Sequence, residues 1–480
     1  MSRAASLIAA AVYVFAPYHL INQYQRGAMA EFLSFVWTPL VLLFAERLCD
    51  TGGVDDQFSN RASRRAVLSF AGLSASFGAF LWSHPPTAYQ FLLVFGPCFV
   101  VWAIRMKRRR ELLIIGCALA LGLMIAAAYF LPAIAEQNLV NYDDVERTWP
   151  YHASYVYDFV QKVYSRVGDS FFNRLDRIWA FNAISISASA GILACLLRSA
   201  GYCRKPAGKD ACAPRVWMWA WAGLIACFLM TKYSEPIGRL IPKIEIGVYS
   251  WRMMTLTSFA VAMLAGACFE VWSNRGGSPT VREGSDAEYM PSLTVGLPLL
   301  ASLMILIGAL AMSAWYVAWP MWRAQSFEPN LEHYNFATLP RGAPREALPM
   351  DQARLASAIG RVTIEHWAPE LRRLRVEMEK PDQLQFRSSN FAGWTATVDD
   401  RLVEVKEGAV KNIVIDLPAG EHTVKLELRS TPVRRAGNAI TILSLAFLFS
   451  MIGAAIRLKY AKSAKSAKSR GHNERDSETI

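Results

Sequence analysis

Histidine and cysteine are scarce in this 480-residue chain, at 7 and 8 residues, and charged side chains make up only 19% of it. So few histidines provide no His-rich zinc site, and Cys203 and Cys212 lack both a short paired spacing and histidine partners. The cysteines (Cys49, Cys98, Cys117, Cys195, Cys203, Cys212, Cys227 and Cys268) fall within apolar runs or on the side read below as cytoplasmic, so disulfides are not expected. The shortage of charge has the larger consequence, because it leaves long stretches with almost no ionisable group.

Ten apolar stretches approach the length of a bilayer-spanning helix: 7–22, 32–48, 66–82, 87–104, 112–132, 178–197, 216–231, 253–272, 293–317 and 440–456. A hydrocarbon core of roughly 30 Å takes about 20 apolar residues as helix, and no soluble core needs so many such runs. The fold class expected is an α-helical polytopic membrane protein. The first run continues into Pro17, Tyr18 and His19 without a small-residue cleavage site, which argues against a removable signal.

Lys and Arg set the expected orientation. With both termini cytoplasmic, the inner segments hold more than twice as many basic residues as the short outer loops, including Arg61, Arg64, Arg65, Lys107 to Arg110 and the tail beyond Arg457. That distribution also accounts for the net charge of +12, so a nucleic-acid partner is not expected and membrane lipids are. The Ala-Lys-Ser repeat in the tail reads as a disordered segment near anionic headgroups, with an acidic docking partner as the alternative.

Between the ninth and tenth runs, residues 319–437 change from apolar blocks to alternation. Segments 361–366, 371–379, 383–387, 394–398, 402–405, 412–417 and 422–429 have strand length, and Asp351 to Ile359 reads as a short helix. Asp399-Asp400 marks a hairpin turn, and Pro418-Ala419-Gly420 breaks the chain before the last strand. A small extracytoplasmic antiparallel β-sandwich is expected, with Phe386, Trp394, Val398, Ile413, Ile415, Val424 and Leu426 in its core. The organisation is then nine spans in 1–318, the β-rich domain in 319–437, a last span in 438–458 and the basic tail in 459–480.

The expected outer ends of the spans collect polar and aromatic residues. Arg26 and Arg252 suit a phosphate, Glu31 or His84 a general base or metal ligand, and Tyr249 or Trp251 a sugar face; His19 is a further substrate-binding candidate. Plainer roles compete with each of these. The arginines could snorkel to the interface, Glu31 could pair with Arg26 or favour its helix N-terminus, the histidines could bond locally, and Trp251 could anchor in an aromatic belt. Asp143-Asp144 with Glu146 suggests a divalent cation, or else a solvated loop, and Tyr155 to Arg166 has an amphipathic pattern. No resident cofactor and no metal ligand set is assigned; a divalent cation is the one cofactor these residues suggest.

The motif Asn390-Phe391-Ala392-Gly393-Trp394, with Val398-Asp399-Asp400 and Leu417 to His422, resembles the extracytoplasmic C-terminal module of bacterial GT-C-like membrane proteins such as the YfhO-like family. Pro17 to Leu20, Tyr24 to Ala28, Ala30 to Phe32, Trp82-Ser83-His84 and Ser250-Trp251-Arg252 resemble the 6-pyruvoyl-tetrahydropterin synthase-related membrane family. The resemblance implies an inner-membrane protein with an outward-facing cleft, where a polyprenyl-phosphate-linked sugar donates to an acceptor. It also implies an acidic first outer loop ahead of the present first span, so a truncated or inactive relative is expected. The alternative is a transporter or assembly factor for envelope glycans or lipids. Few charges lie at mid-span to favour it: Glu136 and Glu270 sit toward span ends, and Pro298 interrupts one early turn.

Overall fold

The computed structural model describes residues 1–50, 60–140, 155–156, 169–199, 212–241, 249–276, 293–318 and 352–477. The chain divides into two units. One comprises the described residues of Met1–Ile125, Trp149–Phe327 and Ser444–Ile480; the other comprises those of Ala126–Thr148 and Glu328–Leu443.

The first unit is helical. Seven described helices are long and apolar enough to cross a membrane, or nine if each of two bent pairs forms one span, which is compatible with a multi-pass membrane protein. Ten were expected, and breaks within the apolar runs explain the difference. The run 7–22 is split into α1 (Arg3–Val14) and α2 (Pro17–Tyr24), bent by 43°, because Pro17 starts a new helix at a position that needs no N–H. The run 112–132 bends by 75° between α6 (Arg109–Ile125) and α7 (Ala127–Ala135), and the apolar helix over Val216–Leu229 is shorter than a span.

The helix Met254–Gly276 is the buried centre of this unit. Thr255, Thr257, Ser258, Ala260, Ala262, Ala265 and Ala267 along it are all buried, and such small side chains let neighbouring helices approach closely. Polar groups stitch the contacts: Asn182 donates to Thr257 Oγ1 at 2.9 Å, and Ser302 donates to the Ala265 carbonyl at 3.0 Å. Tyr155 is buried and Val156 forms an extended bridge to Thr231; residues 157–166 of the amphipathic segment, like 141–146, lie outside the described residues.

The second unit carries two antiparallel sheets. Strands β1 (Ala353–Leu355), β4 (Asp382–Ser389), β8 (Asn412–Leu417) and β7 (Lys406–Glu407) lie side by side in that order. The other sheet runs β2 (Arg361–Trp367), β3 (Leu371–Met378), β9 (Gly420–Leu428), β5 (Trp394–Val398) and β6 (Arg401–Val403). Their inward faces share one core, in which Leu374, Val376, Leu384, Phe386, Ala396, Ile413, Ile415, Val424 and Leu426 are fully buried; Val398 joins them and Trp394 packs at the margin. Asp399 and Asp400 both adopt positive φ, 49° and 64°, which makes the two-residue turn whose twist suits a tight hairpin.

Two expectations are corrected. Asp351 to Ile359 forms no helix: Ala353 and Leu355 point into the core with Arg354 outward, and the segment pairs with Leu384 to Phe386 as an edge strand. The last helix, Pro432–Ser477, continues through the basic repeat read as disordered, where alanine and lysine are both strong helix formers.

Candidate functional site

The helical unit gathers several of the polar candidates where α2 hands over to α3 (Met29–Asp50). Tyr18, Asn22 and Arg26 follow one another at intervals of four, the spacing that lines one helical face. Gly27 then takes φ +59°, the left-handed conformation that ends a helix, and Ala28 N–H returns to the Asn22 carbonyl at 3.0 Å. This turn brings Glu31, in the first turn of α3, back onto the face it has just left.

Glu31 is 2% exposed and its two oxygens meet donors from two directions. Oε1 accepts from Tyr18 Oη at 2.5 Å and Asn22 Nδ2 at 3.2 Å. Oε2 accepts from Arg26 Nη1 at 3.0 Å and stands 3.3 Å from Arg252 Nε. Arg26 also donates to the Asn22 side-chain carbonyl. The arginine side chains remain 18% and 14% exposed. Two guanidiniums thus share one carboxylate, leaving a net positive charge on the more accessible members of the group.

Arg252 belongs to the one-turn helix Ser250–Met253, which leads into the central helix. Its guanidinium carbon lies 4.9 Å from the centre of the Tyr249 ring, and that ring stacks on Trp251 at 4.4 Å with an 8° tilt. Gln90 Nε2 holds the Tyr249 carbonyl at 3.1 Å, fixing this segment against α5 (Pro85–Arg105). Trp251 is 5% exposed, so its indole is a packed element of the site and not a surface anchor.

His84 separates α4 (Asn60–Ser83) from α5 and lies within electrostatic reach of Arg252, Glu31 and Arg26. Its Nδ1 accepts the Thr87 N–H at 3.2 Å and sits 2.7 Å from Thr87 Oγ1, capping α5. With Nδ1 acting as acceptor, the proton of the neutral ring sits on Nε2, which is therefore a donor. Both carboxylate oxygens of Glu31 already accept hydrogen bonds and the imidazole Nδ1 is engaged in its cap, so the side chains that surround them are chiefly donors, a set suited to an oxyanion.

His19 takes a separate place. Its ring stacks on Phe35 at 4.2 Å, Nδ1 lies 3.1 Å from the Tyr13 carbonyl, and Phe32 packs alongside. These are packing contacts, without a bond to Glu31 or either arginine.

Several neighbours were not among the sequence candidates. Tyr18 and Asn22 could have been found from their four-residue spacing to Arg26. Gln25, beside Arg26, accepts from Arg174 Nη1 at 2.8 Å and donates to the Tyr316 carbonyl in a π-helical turn, Ala314–Ala318. No local pattern announces those partners, which lie far away in the sequence. No protein-family model, curated protein or solved structure matches this chain. Among the described residues, no group of three or more His, Cys, Asp or Glu could hold a metal ion.

Proposed function

We propose that this chain is a multi-pass inner-membrane protein that binds a polyprenyl-phosphate-linked sugar at the outward end of its helices, with both termini cytoplasmic and the β-rich domain extracytoplasmic. The observation that carries the reading is the convergence of Arg26 and Arg252 on the buried Glu31. Arginines of this kind are pre-organised and still partly exposed, so a phosphate can be gripped in the plane of their guanidiniums. His84 Nε2–H adds a third donor, and Tyr249 with Trp251 provides an aromatic wall for the sugar. Glu31 acts as the counter-ion that fixes both arginines. The GT-C resemblance supplies the lipid-linked sugar as ligand class, and the basic inner segments support the orientation.

Binding without glycosyl transfer is favoured over transfer by the engagement of both candidate bases: Glu31 accepts hydrogen bonds on both oxygens and His84 caps a helix. Purified protein in nanodiscs, given radiolabelled polyprenyl-phosphate-linked hexoses with and without a glycan acceptor, separates the two. Retention of label by wild type and its loss in Arg252→Gln support the site. Release of lipid phosphate on adding acceptor would assign transfer. Absence of saturable retention in the wild-type protein would overturn the proposal.

A further inference from the structure

The β-rich unit buries a cation that the phosphate reading does not use. Arg372, on the inward face of β3, is 7% exposed although arginine is among the residues least often buried without a partner. Its guanidinium lies between two indoles, 4.5 Å from the centre of the Trp367 ring and 4.6 Å from that of Trp394. Strand order explains the placement: Trp367 pairs with Arg372 across β2 and β3, while Trp394 approaches from β5, beyond β9. The loop that delivers Trp394 is the Asn390 to Trp394 motif, with Phe391 carrying Arg434 at 5.4 Å from its ring centre.

The indoles attract the guanidinium by cation–π interaction, which supplies no hydrogen-bond acceptor. Among the described residues, no hydrogen-bond acceptor meets the buried Nε or Nη1, and none forms an ion pair with Arg372. A buried charge in a stable protein is ordinarily paired and hydrogen-bonded, because a desolvated guanidinium without an acceptor is unfavourable. With an indole on either hand and Nε and Nη1 buried without an acceptor, the unmet demand of this guanidinium is for hydrogen-bond acceptors along its edge. That demand matches a planar or tetrahedral oxyanion and excludes a neutral aliphatic ligand.

We propose that Trp367, Arg372 and Trp394 form a second binding site, for the anionic substituent of a saccharide, carboxylate or phosphate. This site is independent of the cluster around Glu31, and it gives the Asn390 to Trp394 motif a binding role in which Trp394 orients the cation for the ligand. Arg372 touches the ligand, and the indoles position Arg372.

The test uses the full-length protein in zwitterionic nanodiscs, in an Arg252→Ala background that removes the other anion site. Glucuronate and glucose 1-phosphate are the probes, methyl glucoside is the neutral control, and binding is followed by calorimetric titration. Saturable binding of either charged sugar without binding of the neutral one is expected; which of the two binds identifies carboxylate or phosphate as the recognised group. Arg372→Gln should abolish that binding, and Arg372→Lys, which keeps the charge and loses the planar fork, should weaken it by about tenfold. Thermal unfolding of both variants verifies that they are folded, and the lysine variant alone suffices if the glutamine variant is not. Equal binding of neutral and charged sugars, affinity unchanged in the lysine variant, or no saturable binding of either anion would overturn the proposal.

Discussion

Replacing Glu31 with Gln removes the one carboxylate that Tyr18, Asn22, Arg26 and Arg252 share. Geometry is nearly conserved, but the amide accepts at one atom only and presents donors where another acceptor is needed. The guanidiniums are left as like charges beside each other without their counter-ion. Breaking a buried ion pair from one side costs about 3–5 kcal/mol. Arg26 and Arg252 retain 18% and 14% exposure, so water recovers part of their solvation and the low end of that range applies. A loss of about 3 kcal/mol corresponds to roughly a 100-fold shift in the folded-to-unfolded ratio. Equilibrium unfolding in mixed micelles of rising denaturing-detergent fraction measures it directly. Inorganic phosphate should restore part of the deficit in the variant and do little for the wild-type protein, since an oxyanion can occupy the position between the two arginines. A variant within about 0.5 kcal/mol of wild type, the range of an ordinary surface change, would refute the counter-ion role.

Other consequences concern the β-rich unit and the topology. Phe386→Ala, at a fully buried position, should destabilise by about 3–5 kcal/mol in the same unfolding measurement. Gly393→Ala should destabilise by about 1–3 kcal/mol, because the residue holds φ +111° and an added Cβ would run into the Arg429 carbonyl. Asp399 accepts from His422 at 2.7 Å and holds that imidazole above its ordinary pKa, while the same contact holds the Asp399 carboxyl below its own. Stability from the raised histidine is fully present below the ordinary imidazole value and is lost as pH rises through the raised one; stability from Asp399 is lost as pH falls through its lowered value. Melting temperature across that window should vary less in His422→Gln, and superimposable profiles would contradict the pairing. A cysteine introduced at Ser388 should react with an impermeant thiol reagent in intact spheroplasts; labelling only after the membrane is breached would reverse the proposed orientation.

The legible parts of this chain are those where neighbours in sequence remain neighbours in space. Strands β2 to β5, β8 and β9 show in their strand length and partial period-2 character, although β2 and β8 do not alternate in burial, and Asp399-Asp400 identifies its own turn. Strand β1 was hidden because Ala353, Leu355 and Ala356 also suit a helix; its identity comes from pairing with Leu384 and Phe386, some thirty residues away. Hydropathy found the apolar runs but not the bend before Pro17 or the one at Ala126, since a bend leaves composition unchanged. In the site, Arg26 and Glu31 were visible as a local pair. The junction of Arg252 to Glu31 depends on the packing of the central helix against α3, and the occupied Nδ1 of His84 depends on where Thr87 falls in the following turn. Both candidate bases could be named from their residue types, yet only their hydrogen-bond partners show that each is already engaged.

The most direct measurement is a comparison of polyprenyl phosphate with the matching polyprenol for binding to the purified protein in nanodiscs, in wild type and in the Arg26→Gln, Arg252→Gln double variant. The account predicts that wild type prefers the phosphate by at least about tenfold, as loss of charge-assisted hydrogen bonds implies, and that the double variant binds both lipids alike. Equal affinity of the wild-type protein for the two lipids, or a phosphate preference undiminished in the double variant, would contradict it.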